Sequence, residues 1–262
     1  MFRFDDDKYY SMPPYFGGSP VRRNKNFGEH RAVHLSCAAE AAQLERFLPE
    51  GFSLISPELR YTFCECTRAS SVPDDTLNLF LASVFVRYDG NDEGLTGLLP
   101  LVMWADRVSV ILSFREEAGL PALHADTLKG VESEGRFRGS VGRGGVPFCE
   151  VEFQEGAELT ADDIERMHAE TPNRWFGWRY IPNTGAPGAA LSHATVSPYM
   201  LSIKHGRQGT GRMVWHPEVF EHCPSQATIL SCLSTLPVCE PMQGIYAACT
   251  MRAMPELARP LP

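Results

Sequence analysis

The sequence predicts an α+β protein that consists mostly of antiparallel strands and is barrel-like in shape. Three observations support this prediction. Apolar or alternating runs of strand length follow one another along most of the chain, and clusters of turn residues separate them. Helical spacing of apolar residues is confined to two or three short segments. The chain has no internal repeat and no long low-complexity linker, which favours one large domain.

The first half of the chain begins with a predicted strand at 30–37, followed by a helix at 38–49 that stops at Pro49. The next runs are rich in aromatic and β-branched residues, which favour a pleated, half-buried surface. They predict strands at 59–66, 77–90 and 95–114.

The second half begins with a predicted β-hairpin at 135–153. A helix is predicted at 159–170, because Thr160 is a good N-cap residue and acidic residues follow it in the first turn. Strands are then predicted at 175–182, 194–206, 211–217 and 245–254.

The chain divides into an arm and a single domain. Residues 1–28 contain several prolines and glycines, so we expect an irregular N-terminal arm on the surface. Residues 29–262 are expected to form one domain, which is long enough to bury a substantial core.

Composition excludes several partners. With 44% hydrophobic and 21% charged residues, the chain has the composition of an ordinary globular protein. A net charge of −8 argues against nucleic acid and anionic membrane surfaces as partners. No run approaches the roughly 20 apolar residues that a membrane span needs, and the charged start does not resemble a signal peptide. We therefore expect a cytoplasmic protein.

The sequence predicts no metal and no cofactor. Its eight cysteines include no two CxxC pairs, and we expect reduced, buried thiols. Cys64 and Cys66 should point to one face of a strand, and Glu65 to the other. The glycines at 139–145 lack the Lys-Ser/Thr of a phosphate loop and indicate a hairpin turn. The histidines at 216 and 222 lack the i, i+4 spacing of a metal-binding helix.

A set of ordered motifs resembles one known family. Residues 48–51 read Leu-Pro-Glu-Gly after a short helix, and "FREEAGLPA" at 114–122 follows a long apolar run. "DTLKG" at 126–130, the hairpin and "WRYIPN" at 178–183 continue the order. Over about residues 28–254 the chain resembles the acetoacetate decarboxylase superfamily. The resemblance implies a double β-barrel or cone with a closed apolar cavity, and frequent homo-oligomerisation.

The resemblance also implies a lost nucleophile. In the family the turn reads Arg-Glu-x-x-Gly-x-Pro-Lys, and its lysine forms a Schiff base with a β-keto acid. Arg115 and Glu116 match, but Ala122 stands at the lysine position and cannot form an imine. The family's pocket glutamates fall on Thr62 and near Leu79. Its pocket arginine falls on His30, or on Arg31 if the register slips by one residue.

The other lysines do not offer a substitute. Lys8 and Lys25 lie in the polar arm, and Lys204 is expected to be solvated. Lys129 lies seven residues beyond Ala122, up to about 23 Å along an extended strand. We expect no Schiff-base lysine in this chain.

These considerations predict a site. Proton transfer is assigned to Glu116, His124 and Arg31. Ligand contacts are assigned to His30, Thr62, Cys64, Leu79, Trp104, Arg115 and Ala122. The alternative for Arg115 and Glu116 is a buried ion pair that braces the turn. Where the family has a lysine and two glutamates, this chain has uncharged residues, which favours a bulky apolar ligand. The methyl group of Ala122 is expected to face open space.

The predicted function is a lysine-independent enzyme of the lyase or cyclase type in specialised metabolism. Its ligand would be a small hydrophobic, carbonyl-bearing molecule, such as a keto or polyketide-like intermediate. The reaction would be proton transfer, dehydration, cyclisation (including pericyclic) or non-imine decarboxylation. Two alternatives remain: an inactive small-molecule-binding protein on the same fold, or an ordinary β-keto acid decarboxylase if the alignment is shifted.

Overall fold

A computed structural model describes residues 3–10, 12–19, 26–67, 76–90, 94–236 and 240–262. Lys25 and Cys239, along with the predicted turn at 70–75, therefore lie outside the described residues. The strands of this part of the chain, numbered β1 to β12 in order, are Asn26–Ala38, Phe52–Thr67, Thr76–Tyr88, Thr96–Ala105, Ala122–His124, Thr127–Ser133, Arg136–Arg143, Val146–Glu158, Arg174–Pro182, Ala189–Trp215, Met242–Ala253 and Arg259–Pro260.

The helices are short. The α-helices, numbered α1 to α4 in order, are Ala41–Glu45, Val108–Ser113, Ala161–Glu170 and Ala227–Ser234. A π-helical turn, Phe114–Ala118, continues α2, and 3-10 turns occur at Pro14–Phe16, Pro217–His222 and Pro255–Leu257. None of the helices in the described residues has the length and apolarity that a membrane span requires.

Seven strands form a closed ring. The pairing runs β11-β1-β2-β3-β4-β9-β10, and β10 pairs with β11 to complete the circle. The 27-residue strand β10 then continues past the ring and carries a branch, β8-β7-β6. Most pairs are antiparallel; β4 pairs in parallel with β5 and β9. The predicted α+β fold with a mostly antiparallel, barrel-like sheet is confirmed.

Each strand of the ring separates two apolar cores, because successive side chains point to opposite faces. One core contains Tyr61, Phe80 and Trp104, and it extends to the β6–β8 branch. The second contains Cys64 and Ala122. All seven ring strands contribute residues that are buried in it or packed against it. Cys64 and Cys66 share a face, as predicted, and their sulfurs are 3.6 Å apart.

The second core lies inside the ring. Phe27 on β1 contacts Trp175 on β9 with ring centroids 6.2 Å apart, although two strands separate β1 from β9 on the shorter way round the ring. Such a contact can form only across the interior. We call this face of the strands the inner face.

The strand predicted at 95–114 is too long. Strand β4 ends at Ala105, where both carboxylate oxygens of Asp106 accept hydrogen bonds from Asn78 of β3. The residues that follow form α2, with Val110 and Ile111 buried at one end of the ring. Val108 stays 57% exposed, so the apolar run after Ala105 follows a helical period rather than a strand period.

Two predicted strands, 194–206 and 211–217, are one continuous strand, β10. The glycines between them are packing positions and not a turn. A Cβ at Gly209 would lie 2.1 Å from the backbone oxygen of Gln154, and one at Gly211 would lie 2.4 Å from that of Glu152. Glycine therefore lets β8 approach β10 closely.

The helix predicted at 38–49 is reduced to Ala41–Glu45, because β1 extends to Ala38 and pairs there with Glu58. The predicted hairpin forms from β7 and β8 around Gly144 and Gly145. The predicted helix start at Thr160 is confirmed: its side chain accepts a hydrogen bond from the Asp163 backbone in a capping box. The division into an arm and one domain stays a prediction.

Candidate ligand site inside the strand ring

A polar cluster lies on the inner face of β1 and β2. His34 and Thr62 are directly opposite each other in the β1–β2 ladder. The Nδ1 atom of His34 lies 2.8 Å from the Oγ1 atom of Thr62. Thr62 is 7% exposed. The two side chains therefore make a hydrogen bond in a largely desolvated environment.

His34 is held in its neutral form. Burial lowers its pKa to about 3, and the positive charge of Arg60 and the proximity of His30 act in the same direction. His34 nevertheless keeps part of its surface uncovered by protein atoms. A neutral imidazole can donate from one nitrogen and accept at the other, so it can bind a carbonyl oxygen without carrying charge.

His30, two positions before Ala32 on the same face of β1, is a second neutral imidazole. Burial lowers its pKa to about 4, and a hydrogen bond with the Gly28 backbone opposes this shift. Its Nδ1 atom is buried without a hydrogen-bond partner in the described residues. An unpaired buried polar atom costs free energy unless something else satisfies it.

Arg60 adds a positive charge to the cluster. Its Nε atom is buried without a partner in the described part of the chain, and one Nη atom lies 3.6 Å from Glu58. The guanidinium carbon lies 4.3 Å from the centre of the Phe85 ring. Burial lowers the pKa of Arg60, while the neighbouring Glu58 and Tyr199 raise it.

Tyr199 faces Arg60 across the ring. Burial raises the pKa of Tyr199 to about 12, and the Arg60 charge opposes this shift. Tyr199 belongs to β10 and Arg60 to β2, so the electrostatic coupling between them spans the interior. The tyrosine hydroxyl donates a hydrogen bond to the Pro172 carbonyl at 3.2 Å.

The structure brings together most of the residues that were assigned to ligand contacts. Cys64, Leu79 and Ala122 belong to the inner core, and His30 and Thr62 lie on the same face of β1 and β2. A hydrogen bond with the Cys66 thiol, together with burial, raises the pKa of Cys64, so it is an uncharged thiol. Ala122 is only 1% exposed. The prediction of open space beside its methyl group is therefore wrong: neighbouring side chains already surround it.

Trp104 does not join this group. It follows Met103 on β4 and therefore points to the outer core, where its indole Nε1 donates a hydrogen bond to Gln226 Oε1 at 2.8 Å. The assignment of Trp104 to ligand contacts placed it on the wrong face, because β4 is buried on both faces and its apolar run gives no sign of which one lines the site.

Arg31 also lies away from the inner face. Its side chain is 53% exposed and forms ion pairs with Glu65 at 3.5 Å and Glu132 at 3.4 Å. The predicted orientation of Glu65, opposite to the cysteines, agrees with this pairing. The family's pocket arginine could correspond to His30 or to Arg31. The structure places His30 inside the ring and Arg31 outside it.

The turn that carries the family motif is more open than predicted. Arg115 is exposed and Glu116 is half-buried, and neither forms an ion pair within the described residues. The alternative prediction of a buried Arg115–Glu116 pair is therefore wrong. His124 is half-buried and lies opposite Ala105 in the β4–β5 ladder, on the same side of β5 as Ala122.

The described part of the inner face carries no lysine and no cluster of side chains placed to hold a metal ion. Lys129 is exposed, Lys204 pairs with Glu29 at 2.9 Å, and Lys8 pairs with Asp5 at 3.1 Å. No three His, Cys, Asp or Glu side chains in the described ranges are placed to hold a metal ion.

A separate cleft of about 530 Å³ lies on the outer face of β7, β8 and β10. Its charged groups neutralise one another: Glu152 lies 2.7 Å from Arg212 and 3.7 Å from Arg138. None of the predicted site residues lines it. We therefore place the candidate site inside the ring.

Sequence reasoning missed His34, Arg60 and Tyr199. Two of them were within reach of strand alternation. His34 is four residues from His30 on one strand, and Arg60 is two residues from Thr62 on the next, so each shares a face with a residue already assigned. Tyr199 had no such signal, because only the closure of the ring brings β10 opposite β2.

The site thus combines two neutral imidazoles, a threonine hydroxyl and a guanidinium in an apolar ring. These groups can donate hydrogen bonds, and Arg60 carries a positive charge. Apart from Glu58 at its edge, the described inner face has no carboxylate. Such a set suits a ligand with a carbonyl oxygen, a carboxylate or an enolate.

Comparisons with known proteins agree with this architecture. A model of the family described as acetoacetate decarboxylase (ADC) matches residues 11–254. No curated protein matches the chain by sequence. The acetoacetate decarboxylase from Legionella pneumophila subsp. pneumophila str. Philadelphia 1 has a similar structure, with a TM-score of 0.76 and 16% identity; the match covers 99% of this chain and 98% of that one.

Two other solved structures are similar to the chain. The enduracididine biosynthesis enzyme MppR, complexed with pyruvate, has a TM-score of 0.72 and 12% identity, with 97% of each chain covered. An acetoacetate decarboxylase-like enzyme from Sphingomonas wittichii RW1 has a TM-score of 0.69 and 15% identity, with 93% of this chain and 95% of that one covered. At these identities the likeness shows the fold.

Proposed function

The chain belongs to the acetoacetate decarboxylase family, and we propose that it is a member that acts on a small, apolar oxo acid without forming an imine. The observation that carries the proposal is the His34–Thr62 hydrogen bond of 2.8 Å on the inner face, beside a buried guanidinium. The ligand would bind inside the ring, at the polar cluster on the inner face of β1 and β2.

His34 binds the ligand's carbonyl oxygen in this proposal, and Thr62 fixes the tautomer of its ring. When the Thr62 hydroxyl donates to Nδ1, the proton of the neutral imidazole is on Nε2, which can donate to a carbonyl. A pKa of about 3 keeps the ring neutral at physiological pH, so it polarises the carbonyl through a hydrogen bond alone. Negative charge that develops on the oxygen is then stabilised by donors already in place.

Arg60 binds the ligand's carboxylate. Its Nε is a buried donor without a partner in the described residues, and a carboxylate would satisfy it with a charge-assisted bond. The structure of MppR with pyruvate shows that this fold can hold a 2-oxo acid. That ligand chemistry supports an oxo acid for this chain as well.

The reaction is one that passes through an enolate. A proton leaves the carbon next to the carbonyl, and its electron pair moves to the carbonyl oxygen, where the hydrogen bond from His34 Nε2 stabilises the negative charge. His124 is the proposed proton carrier because it lies on the same side of β5 as Ala122. Glu116 is half-buried on the more open turn at 114–118, so His124 is preferred to it as the proton carrier. Return of a proton, loss of a hydroxide as water, or ring closure completes the reaction.

A second candidate is a small-molecule-binding protein. The described inner face favours it, because it carries no carboxylate beyond Glu58 at its edge and because His34, with a pKa of about 3, is too weakly basic to act as a general base. Both candidates use the same inner face and differ in whether a proton moves.

Pyruvate and deuterium exchange test both candidates. In D2O, the protein should bind pyruvate and exchange its methyl protons faster than buffer, as followed by proton NMR. Arg60→Met should weaken binding by about tenfold to a hundredfold, the range expected for one hydrogen bond to a charged group. Thr62→Val should slow exchange more than it weakens binding.

Thr67→Val is the matched control. Thr67 lies on the same strand, is exposed, and donates its hydroxyl to the Glu29 carbonyl at 3.2 Å; its substitution should change neither readout. Binding without exchange would establish the binding protein instead of the enzyme. Absence of binding for pyruvate and its longer 2-oxo acid homologues would overturn the proposed function.

A further inference from the structure

An apolar cleft opens at the end of the ring that α2 covers. Four aromatic side chains line it: Phe27, Phe114, Trp175 and Tyr199. Trp175 and Tyr199 are 5.1 Å apart between ring centroids, and Phe27 and Phe114 are 6.0 Å apart. The turn Pro255–Leu257 and the residues that flank it form the outer wall.

The cleft and the polar cluster share a wall. Tyr199 lines the cleft, and its hydroxyl interacts electrostatically with Arg60 of the polar cluster. Phe114 and Leu120 line the cleft and pack in the same inner core as Ala122. Tyr199 therefore lies between Arg60 and the cleft, and a ligand held by Arg60 would have to pass this side chain to reach the cleft.

We propose that this cleft binds the apolar tail of the ligand, so that the substrate class is a 2-oxo or 3-oxo acid with a short, slender, uncharged chain. The inference rests on the proposed function, because it takes the carboxylate to be held by Arg60 and the carbonyl by His34. The proposal goes beyond that function because it locates the apolar tail of the ligand at the end of the ring that α2 covers.

The width of the cleft limits the tail. The space open to the centres of water-sized groups is about 40 Å³, which corresponds to roughly three such groups. Glu117 is the charged residue among the described residues that line the cleft, and it accepts a hydrogen bond from Ser113 at 2.7 Å. A narrow apolar slot with a carboxylate at its edge selects against a branched or anionic tail.

A homologous series of straight-chain 2-oxo acids, from pyruvate to 2-oxooctanoate, tests the proposal by calorimetric titration. Affinity should rise roughly fourfold for each added methylene, as expected for methylenes that leave water. The rise should stop after about three methylenes, when the cleft is full. A 2-oxo diacid of matched length should lose most of the gain.

Ala258→Leu and Ala253→Leu fill the cleft from two sides, since both alanines line it. Either variant should bind pyruvate like the wild type and lose the gain with chain length. Ala190→Leu, at an exposed position on β10, is the matched control, and this variant should keep the gain in affinity with chain length. Two filling variants are used so that one misfolded variant does not decide the result.

The outcomes separate the tail site from the function. Pyruvate binding that depends on Arg60, combined with no dependence on chain length, would overturn the tail site and leave the proposed function standing. A length dependence that survives in both filling variants would also overturn it. If no acid of the series binds, both the proposed function and the tail site are wrong.

Discussion

Trp104 and Ala122 lie on adjacent rungs of the β4–β5 pair and point to opposite sides of the sheet. Ala122 is paired with Met103, and Trp104 with Leu123, so a shift of one residue separates the inner core from the outer one. Ala122 packs in the ring interior, whereas Trp104 bonds to Gln226 in the outer core. The two residues should therefore respond differently to substitution.

Trp104→Phe should lower stability without affecting the ligand. The change leaves the Gln226 side chain, which is 2% exposed, without one of its partners, at a cost of about 1–3 kcal/mol. Urea unfolding measures the cost, and titration with pyruvate should give the wild-type affinity. A large loss of affinity in a folded Trp104→Phe protein would show that the ligand occupies the outer core.

Ala122→Leu should destabilise the protein. Its methyl group is 1% exposed, and a fully packed core accepts added methylenes at a cost of about 1–3 kcal/mol. The free energy of unfolding should fall for this variant and stay nearly constant for Ala190→Leu, at an exposed position. An unchanged stability for Ala122→Leu would demonstrate free space beside the methyl group.

Borohydride reduction in the presence of pyruvate should yield no covalent adduct. Imine formation needs a lysine at the ligand, and the described lysines are exposed or paired at the surface. Intact-mass spectrometry after reduction should give the unmodified mass. A stoichiometric adduct that maps to any of the four lysines, Lys25 included, would contradict the proposal of imine-free chemistry.

The protein should become less stable as the pH decreases, because His30 and His34 are buried in their neutral form. Their pKa values, about 4 and about 3, lie below the ordinary 6.5, so the unfolded chain binds protons that the folded protein does not. Their contribution is unchanged above about pH 6.5 and is lost as the pH falls toward 4. When the pH is lowered from about 7 to about 5, each of the two histidines should reduce the free energy of unfolding by up to about 2 kcal/mol.

His30→Leu isolates one of the two histidines. Its urea-unfolding free energy should fall less steeply between these pH values than that of the wild type, by about half of the two histidines' combined contribution. His205→Leu, at an exposed position, should keep the wild-type slope. Equal slopes for His30→Leu and the wild type would show that folding does not lower the pKa of His30.

Alternation along the strands was sufficient to predict much of the fold and part of the site. The runs at 59–66 and 77–90 form strands because their apolar side chains fit a pleated sheet buried on both faces. The same alternation correctly separated Cys64 from Glu65. The family resemblance assigned His30, Thr62, Leu79 and Ala122 to ligand contacts, and the structure places these four residues on the inner face.

The tertiary structure decided the remainder. Trp104 lies in an apolar run that is buried on both faces, so its sequence neighbours cannot show which side it takes; the parallel pairing of β4 with β5 sets this. The space beside Ala122 depends on how closely side chains from several strands and α2 pack, and the interaction of Arg60 with Tyr199 depends on closure of the ring. Local pattern determines which residues form strands and which faces they share, because it acts over a few residues. Which faces meet is set by contacts between segments far apart in the chain.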